Sequence, residues 1–163
     1  MKTKKENWVG KWNLILLPWT ILQNLLGFFV YLFCKIVWST SVWGHVKGVR
    51  IIEVNSTSFS GVSLGGWVLL GKYYIEKRGE PITPKHEVGH SIQSLIWGPL
   101  YLFVIGLPSI TMNILSIFSF KRYLKGKGDG TFQKNYYKRF PENQADKFGG
   151  VTKRPDYVLP ARD

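Results

Sequence analysis

Two long apolar runs without a charged residue constrain the fold of this chain more than any other feature. They cover residues 12–34 and 91–120 of a 163-residue chain whose formal net charge is +12. About 20 apolar residues are enough to span the hydrocarbon core of a bilayer as a helix. The basic residues flank these runs and form no face of their own, which favours anionic lipid over nucleic acid as the partner. The sequence therefore predicts a membrane protein with a lipid bilayer as a partner and no nucleic acid.

The first run predicts one membrane segment over residues 12–38, after a basic tail. Pro18 and Gly27 within it are costly in a soluble helix but are tolerated in membranes. The run is too long for a typical signal peptide and has no evident cleavage site, so we expect a retained anchor in a bacterial inner membrane. Residues 1–45 are interpreted as this tail and segment, and residues 46–163 as the remaining domain.

Residues 49–75 are rich in β-branched residues broken by glycines, which is typical of short strands. Residues 50–55 read as one strand, residues 59–70 as an interrupted one, and residues 73–75 as a segment that pairs back. Residues 39–48 read as a connection. The pattern predicts a small antiparallel β-meander. Its edge could align an extended peptide by strand addition, or the segment could simply be a twisted sheet.

The strongest chemical signal is the sequence His-Glu-Val-Gly-His at residues 86–90. Residues four apart lie on one face of a helix, so His86 and His90 can bind one zinc ion together. Glu87 lies next to them, where its carboxylate can act as a general base on water. Thr83 and Pro84 suit the start of a helix as N-cap and first helical residue. The motif therefore has the helical context that it requires.

A zinc site that catalyses needs a third protein ligand, and the sequence offers one in Glu142. Asp146 lies four residues later on the same predicted helix, within a helical pattern over residues 136–148. Asp146 can accept a hydrogen bond from the far nitrogen of His86 or His90 and fix its tautomer. Ala145 is small enough for close packing against the first helix. Two tyrosines precede Glu142, and either one donates to an oxyanion or both pack as ordinary aromatic residues.

H-E-x-x-H followed about fifty residues later by E-x-x-A-D resembles the gluzincin metallopeptidases, and most of all the CAAX prenyl proteases and heat-shock membrane proteases. The string from His86 to Ser94, with residues 98–102, is also similar to short bacterial membrane proteins. The resemblance implies His86, His90 and Glu142 as zinc ligands, Glu87 as the catalytic base and Asp146 as support for a histidine. It implies a zinc metalloendopeptidase with a peptide or protein substrate. Two alternatives stay open: a non-catalytic membrane adaptor whose metal is structural or absent, and a basic peripheral lipid-binding protein.

The second apolar run contains Gly98-Pro99 and Gly106-Leu107-Pro108, which interrupt helices. We therefore expect a folded helical hairpin over residues 91–120, followed by a solvated basic loop over residues 121–138. Glu142 must reach the histidines, so this run has to cross the membrane either twice or not at all. Basic flanks on both sides conflict with a single crossing by residues 12–38, so either that segment bends near Pro18 or Gly27 or one flank is not cytoplasmic. The predicted fold class is α+β, membrane-associated and mainly helical, with the antiparallel β-meander before the metal-binding helix.

Overall fold

A computed structural model describes residues 8–76, 82–152 and 154 of the chain. It is an α+β fold in which a four-stranded sheet lies between helices. In chain order the elements are α1 (Trp8–Ile15), α2 (Ile21–Trp38), β1 (Thr40–Val46), β2 (Val49–Val54), β3 (Gly61–Leu64), β4 (Trp67–Gly71), α3 (Lys72–Glu76), α4 (Ile82–Trp97), α5 (Leu107–Leu124), α6 (Thr131–Lys134) and α7 (Glu142–Gly149).

The sheet is mixed, so the prediction of an antiparallel meander was wrong. Its strand order is β1-β2-β4-β3, with β2 and β4 parallel and the other two pairs antiparallel. The residues of β4 from Val68 to Gly71 are all buried, whereas β3 is only partly buried. β4 is the more apolar strand of the β3–β4 hairpin. Because it is buried at the centre of the sheet, β4 lies beside β2 and β3 lies at the edge.

Two local predictions in this region were also wrong. Residues 40–46, expected in a connection, form β1, whose largely exposed residues gave no hydrophobic signal. Residues 73–75, expected to pair back as a strand, belong to helix α3. Both outcomes depend on pairing and packing with distant residues, which local propensity does not report.

Apolar side chains cover both faces of the sheet. One face packs Ile51, Val68 and Leu70 against Val88 and Ile92 of α4. The opposite face packs Ile52 and Leu69 with Cys34 of α2. The sheet therefore holds α4 on one side and α2 on the other, which fixes the position of the His-Glu-Val-Gly-His motif.

The first apolar run bends at Pro18, one of the two expected positions. Helix α1 ends at Ile15 and α2 begins at Ile21. Gly27 stays within α2, where an added Cβ would come within 2.8 Å of the Trp67 side chain. Gly27 therefore serves close packing of α2 on the sheet rather than a bend.

The expected hairpin over residues 91–120 is absent. Gly98 ends α4 in a left-handed conformation (φ +48°), but residues 102–124 then form one continuous helix. Its first turn is π-helical over Leu102–Gly106, and Pro108 follows this turn directly as the second residue of α5, so the irregular turn accommodates the proline. The basic segment is also more ordered than expected, because α5 extends to Leu124 and α6 follows.

Two helices of the described chain are long and apolar enough to cross a membrane: Ile21–Trp38 and Leu102–Leu124. Only small fractions of them are buried, 17% and 11% respectively. Large apolar side chains on both are exposed, including Phe29, Phe33, Phe103 and Phe118. These exposed faces hint at membrane association, although length and composition alone do not distinguish a spanning helix from other apolar helices.

Candidate metal centre

Helices α4 and α7 pack so closely that their backbones touch. A Cβ added to Gly89 would lie 1.9 Å from the carbonyl oxygen of Ala145, and one added to Gly149 would lie 2.0 Å from that of Lys85. Ala145 itself is fully buried. The close packing predicted from Ala145 is therefore present, and the two glycines make it possible.

This contact brings His86, His90 and Glu142 together. The Nε2 atom of His86 lies 3.0 Å from Oε2 of Glu142, and the Nε2 atom of His90 lies 3.6 Å from the same oxygen. All three side chains are buried, and one ligand atom from each lies within 4.8 Å of the others. Within the described ranges this is the one group of histidine, cysteine or acidic side chains arranged to hold a metal ion.

Asp146 fixes the orientation of His86. Its Oδ1 atom lies 2.7 Å from Nδ1 of His86, so the ring N–H donates there and Nε2 faces Glu142. Arg154 donates from Nε and Nη2 to the two oxygens of Asp146, each at 2.5 Å, and its guanidinium stacks 3.4 Å from the Tyr137 ring centroid. Asp146 is therefore held on two sides and cannot swing away from His86.

Gln93 fixes the orientation of His90 in the same way. The amide nitrogen of Gln93 donates to the carbonyl of Pro141 and to Oε1 of Gln144. Its oxygen therefore faces Nδ1 of His90, 2.7 Å away, and accepts the ring N–H. This tautomer leaves Nε2 of His90 as a lone pair directed at Glu142.

Nε2 of His86, Nε2 of His90 and a carboxylate oxygen of Glu142 converge on one buried point. When no metal is bound, a proton on Nε2 of His86 joins it to Glu142, and a metal cation could take the place of that proton. The pKa values reflect this proton. Burial alone lowers the pKa of His86, but its hydrogen bonds with Asp146 and Glu142 raise it to about 9. Burial alone raises the pKa of Glu142, but the hydrogen bond with His86 and the nearby His90 hold it well below its usual range.

Two of the three separations between ligand atoms are close to those around a small tetrahedral metal ion. Ligands at about 2.0–2.1 Å from a tetrahedral ion are roughly 3.3–3.4 Å from one another. The separations of 3.0 and 3.6 Å between the imidazole nitrogens and Glu142 lie on either side of this value. Two neutral imidazoles and a carboxylate are also a donor set that zinc accepts, with hydrogen bonds to the outer nitrogens in place.

A cavity of about 360 Å³ opens on these three side chains. Glu87 lines it, as do residues 60–64 around β3, and Oε1 of Glu87 lies 3.4 Å from where a Cβ of Gly61 would be. Burial raises the pKa of Glu87, whereas the neighbouring histidines lower it by less. The carboxylate next to the metal ligands is therefore a stronger base than a solvated one.

Helix α5 and the segment before α7 complete the cavity. Ser109 of α5 donates to Oε1 of Glu142 at 2.6 Å, which leaves Oε2 for the histidine side. Tyr136 forms a hydrogen bond with the side chain of Asn113. Burial and the nearby Glu142 raise the pKa of Tyr136 far above its usual range, so its hydroxyl stays protonated and can donate.

The expected site residues thus lie together, but three contributors were not predicted. Ser109, Gln93 and Arg154 are ordinary polar residues whose roles depend on which helices meet. Gln93 carried one usable signal, since it lies three residues after His90 on the same helix face. The predicted N-cap at Thr83 was wrong, because Thr83 lies within α4 and its hydroxyl has no hydrogen-bond partner among the described residues.

Comparisons of the chain with protein-family models, curated proteins and solved structures found no match. The resemblance to gluzincin metallopeptidases, and the zinc and the peptidase activity that it implies, therefore stay predictions. The buried group of His86, His90 and Glu142, which could bind a metal ion, stands on the geometry alone.

Proposed function

We propose that the protein is a zinc-dependent metallopeptidase that hydrolyses peptide bonds at a membrane. The observation that carries this proposal is the open cavity beside the ligand group. His86, His90 and Glu142 supply three ligands, and Glu87 lines the cavity on their open side. Three protein ligands with an open fourth position are typical of catalytic zinc sites, whereas structural sites are closed by four.

When bound, zinc supplies a Lewis acid that polarises a carbonyl group and makes water acidic near neutral pH. Glu87 is the group that accepts the proton from the attacking water and later delivers it to the leaving amine. The raised pKa of Glu87, caused by burial, suits both steps because a stronger base accepts the proton readily and its acid form persists nearer neutral pH. His86 and His90 remain neutral ligands, each held by a hydrogen bond at Nδ1.

The edge strand β3 gives a peptide substrate a place to bind. Residues 60–64 line the cavity, and among the described strands β3 pairs with β4 alone. An extended peptide can add to the outer edge of such a strand through main-chain hydrogen bonds. Because these bonds involve the main chain, they would position the scissile carbonyl in peptides of different sequence. Tyr101 already donates to the carbonyl of Ser63 at 3.0 Å, so an added peptide would pair with the other main-chain groups at this edge.

Tyr136 is positioned to stabilise charge on the substrate oxygen. It lines the cavity with Asn113, and its hydroxyl remains a donor at all physiological pH values. A donor directed at the developing oxyanion contributes more in a buried site than in water. Aromatic packing, the alternative for this pair, describes Tyr137 better, because that ring is stacked under Arg154 and against His86.

The membrane component of the proposal rests on the exposed faces of α2 and α5. Both helices have the length and hydropathy of spanning segments and carry exposed apolar side chains. A bacterial inner membrane fits the basic residues that flank them. A lipid bilayer and a peptide or protein substrate are thus the proposed partners.

The main rival is a non-catalytic membrane adaptor with a structural metal or none. The open cavity and the position of Glu87 both disfavour it, because a structural site has no use for a base beside an open coordination position. The rival nevertheless predicts the same zinc content as the enzyme. Metal analysis alone therefore does not separate the two functions.

Substitution of Glu87 separates them. Wild type, Glu87→Gln and the matched control Glu53→Gln, which alters a strand residue of β2, are purified in detergent. Zinc is measured by mass spectrometry, and cleavage is measured on a quenched-fluorescence peptide library. We expect all three proteins to bind one zinc ion. Loss of the general base should lower the cleavage rate of Glu87→Gln by about 10²–10⁴-fold, with Glu53→Gln unchanged. Equal cleavage by Glu87→Gln and wild type would refute the proposal.

A further inference from the structure

Helix α5 has two chemically different faces. Phe103, in the π-helical turn, and Leu107, Ile110, Ile114 and Phe118 follow one another at helical spacing, and all are largely exposed. The opposite face carries Ser109, Ser116 and Ser119, which contact the rest of the protein. A helix surrounded by lipid over its whole length would not need such a polar face.

The chain returns along this polar face. Gln133 donates to the carbonyl of Ser116 at 2.7 Å, and its oxygen accepts from Ser119. Tyr136 then bonds to Asn113, and Glu142 accepts from Ser109. The residue contacted on α5 therefore changes from residue 119 to residue 109 as the contacting residue of the returning segment changes from residue 133 to residue 142. The returning segment runs antiparallel to α5 over about 15 Å of its length.

This returning segment carries exposed positive charges. Lys134, Lys138 and Arg139 are all exposed on it. Residues 102–124 extend over about 34 Å, so the stretch from 109 to 119 would occupy the middle of a bilayer if the helix crossed it. Charged side chains at that depth are rare and costly. The return path therefore opposes a full crossing by α5.

The same end of the molecule is strongly basic. Residues 121–141 contain seven lysine or arginine residues and one acid, Asp129. Asp129 already accepts hydrogen bonds from the backbone and hydroxyl of Thr131. The cations are exposed, and four of them lie at or just beyond the end of α5: Lys121, Arg122, Lys125 and Lys127. This charge complements anionic headgroups, while the exposed face of α5 complements the acyl region beneath them.

We propose that the exposed face of α5 and the cations of residues 121–139 form one docking surface for an anionic lipid leaflet. The helix lies in the leaflet from one side and does not cross. The metal cavity is lined by Ser109 and Asn113 of the same helix and also by Ile110 and Ile114 of its exposed face, so it would open next to the docked leaflet. This removes the topological conflict, since α4 and α7 reach each other without a crossing between them.

A pair of cysteines at the two ends of the helix tests this arrangement. Leu100→Cys and Lys127→Cys, both at exposed positions, are combined with Cys34→Ala in the full chain and reconstituted into intact vesicles. A membrane-impermeant, neutral maleimide-polyethylene glycol is added, and adducts per molecule are counted on a gel. A helix that does not cross gives molecules with two adducts or none, whatever the orientation of insertion. A crossing helix gives one adduct on every molecule, and that pattern would overturn the proposal. Lys125→Cys replaces Lys127→Cys if circular dichroism shows a folding defect.

The lipid specificity is tested with the same reagent. The labelling rate of Lys127→Cys in Cys34→Ala is compared in phosphatidylcholine vesicles and in vesicles with 30% phosphatidylglycerol, a content on the order of that of anionic membranes. Contact with anionic headgroups should slow labelling by at least about threefold, and 0.5 M salt should restore the rate, because exposed charges are then screened. Equal rates in both vesicles would mean that anionic lipid does not contact this surface and would overturn the proposal. Neither outcome depends on zinc or on peptide cleavage.

Removing the same number of positive charges elsewhere on the protein provides a matched control for this measurement. Lys121, Arg122 and Lys125 are replaced together by glutamine in one variant, and Lys11, Arg50 and Lys147 in another, so that both lose three exposed positive charges. Only the first set should abolish the slowing of labelling by phosphatidylglycerol. An equal loss in both variants would mean that net charge, rather than this surface, attracts the lipid, and would contradict the proposal.

Discussion

The side-chain oxygen of Gln93 accepts a hydrogen bond from Nδ1 of His90 at 2.7 Å, while its amide nitrogen donates to the carbonyl of Pro141, the residue before Glu142. One buried side chain on α4 thus orients a metal-binding histidine and holds the start of the helix that carries the third ligand. Gln93 therefore couples the two halves of the candidate centre. Its replacement should affect metal binding beyond any loss of stability.

We expect Gln93→Leu to weaken zinc binding by about 10–100-fold, because His90 loses the acceptor that fixes its tautomer. Affinity is measured by competition with a chromogenic chelator, and the absorption spectrum of the cobalt-substituted protein reports the ligand geometry. Gln133→Leu is the matched control, since it removes another buried glutamine that bonds to α5 away from the ligands. If both variants lose stability but keep wild-type affinity and an unchanged cobalt spectrum, Gln93 has only a structural role.

Zinc affinity should rise with pH up to about 9. In the metal-free protein the pKa of His86 is raised from 6.5 to about 9, so the proton on His86 must leave before the nitrogen binds metal. One displaced proton raises the apparent affinity by about tenfold per pH unit below that pKa. Chelator competition at several pH values measures the slope. Asp146→Asn removes one hydrogen-bonding partner that raises the pKa of His86 and should move the plateau to lower pH; a slope of zero between pH 6.5 and 8.5 in wild type would contradict this account.

The stability of the metal-free protein should change in the opposite direction. A pKa that is higher in the folded state than in the unfolded state means that protonated His86 stabilises the fold. This contribution is complete below pH 6.5 and is lost as the pH rises through about 9. Thermal denaturation in detergent with excess chelator should therefore show a falling midpoint over this range. Saturating zinc should remove the fall, and a midpoint that rises between pH 6.5 and 9 would contradict the assigned hydrogen bonds.

Gly89→Ala should separate α4 from α7. The added methyl group would lie 1.9 Å from the carbonyl oxygen of Ala145, so the helices must move apart. Overpacking of this kind costs about 1–3 kcal/mol or more, and here it also displaces Glu142 from the histidines. Denaturation midpoints and zinc content measure the two effects. Gly44→Ala, where an added Cβ meets nothing within 4 Å, is the control and should change neither. Full zinc content in Gly89→Ala would contradict the close contact.

Ser109→Ala should weaken zinc binding without removing a ligand. The hydroxyl donates to Oε1 of Glu142 at 2.6 Å and directs the other oxygen toward the histidines. Losing a hydrogen bond to a carboxylate costs about 1.5–3 kcal/mol, part of which should appear as a roughly tenfold lower affinity. Ser109→Thr keeps the hydroxyl and should bind zinc nearly as well as wild type. Equal zinc affinities in wild type and Ser109→Ala would show that the hydrogen bond from α5 to Glu142 does not contribute to metal binding.

The chemistry of the site could be predicted from sequence because it depends on short-range regularities. His86 and His90 share a helix face at four-residue spacing, and Glu142 and Asp146 repeat that spacing on a second helix. The structure brings all four side chains together: His86 bonds to Asp146 and Glu142, His90 lies 3.6 Å from Glu142, and Glu87 lines the adjoining cavity. The activity attached to this group is still a prediction.

The errors share a different physical origin. The parallel pairing of β2 with β4 depends on which strand buries the most apolar surface, which is a property of the whole sheet. The continuous helix over residues 102–124 depends on a π-helical turn that accommodates Pro108, where the local signal indicated a break. Both are cases in which tertiary packing overrides local propensity.

The sequence by itself determined the apolar runs, the helix that carries the histidines and the identity of the candidate ligands, since each follows from spacing along one segment. Only the tertiary structure decided that Gln93, Ser109 and Arg154 support those ligands, and that the chain returns along α5. The contacts of Ser109 with Glu142 and of Gln93 with Pro141 join residues 33 and 48 positions apart, and helices α4 and α7 meet through Gly89 and Gly149. Contacts of that kind arise from the packing of complete elements, and no local periodicity encodes them.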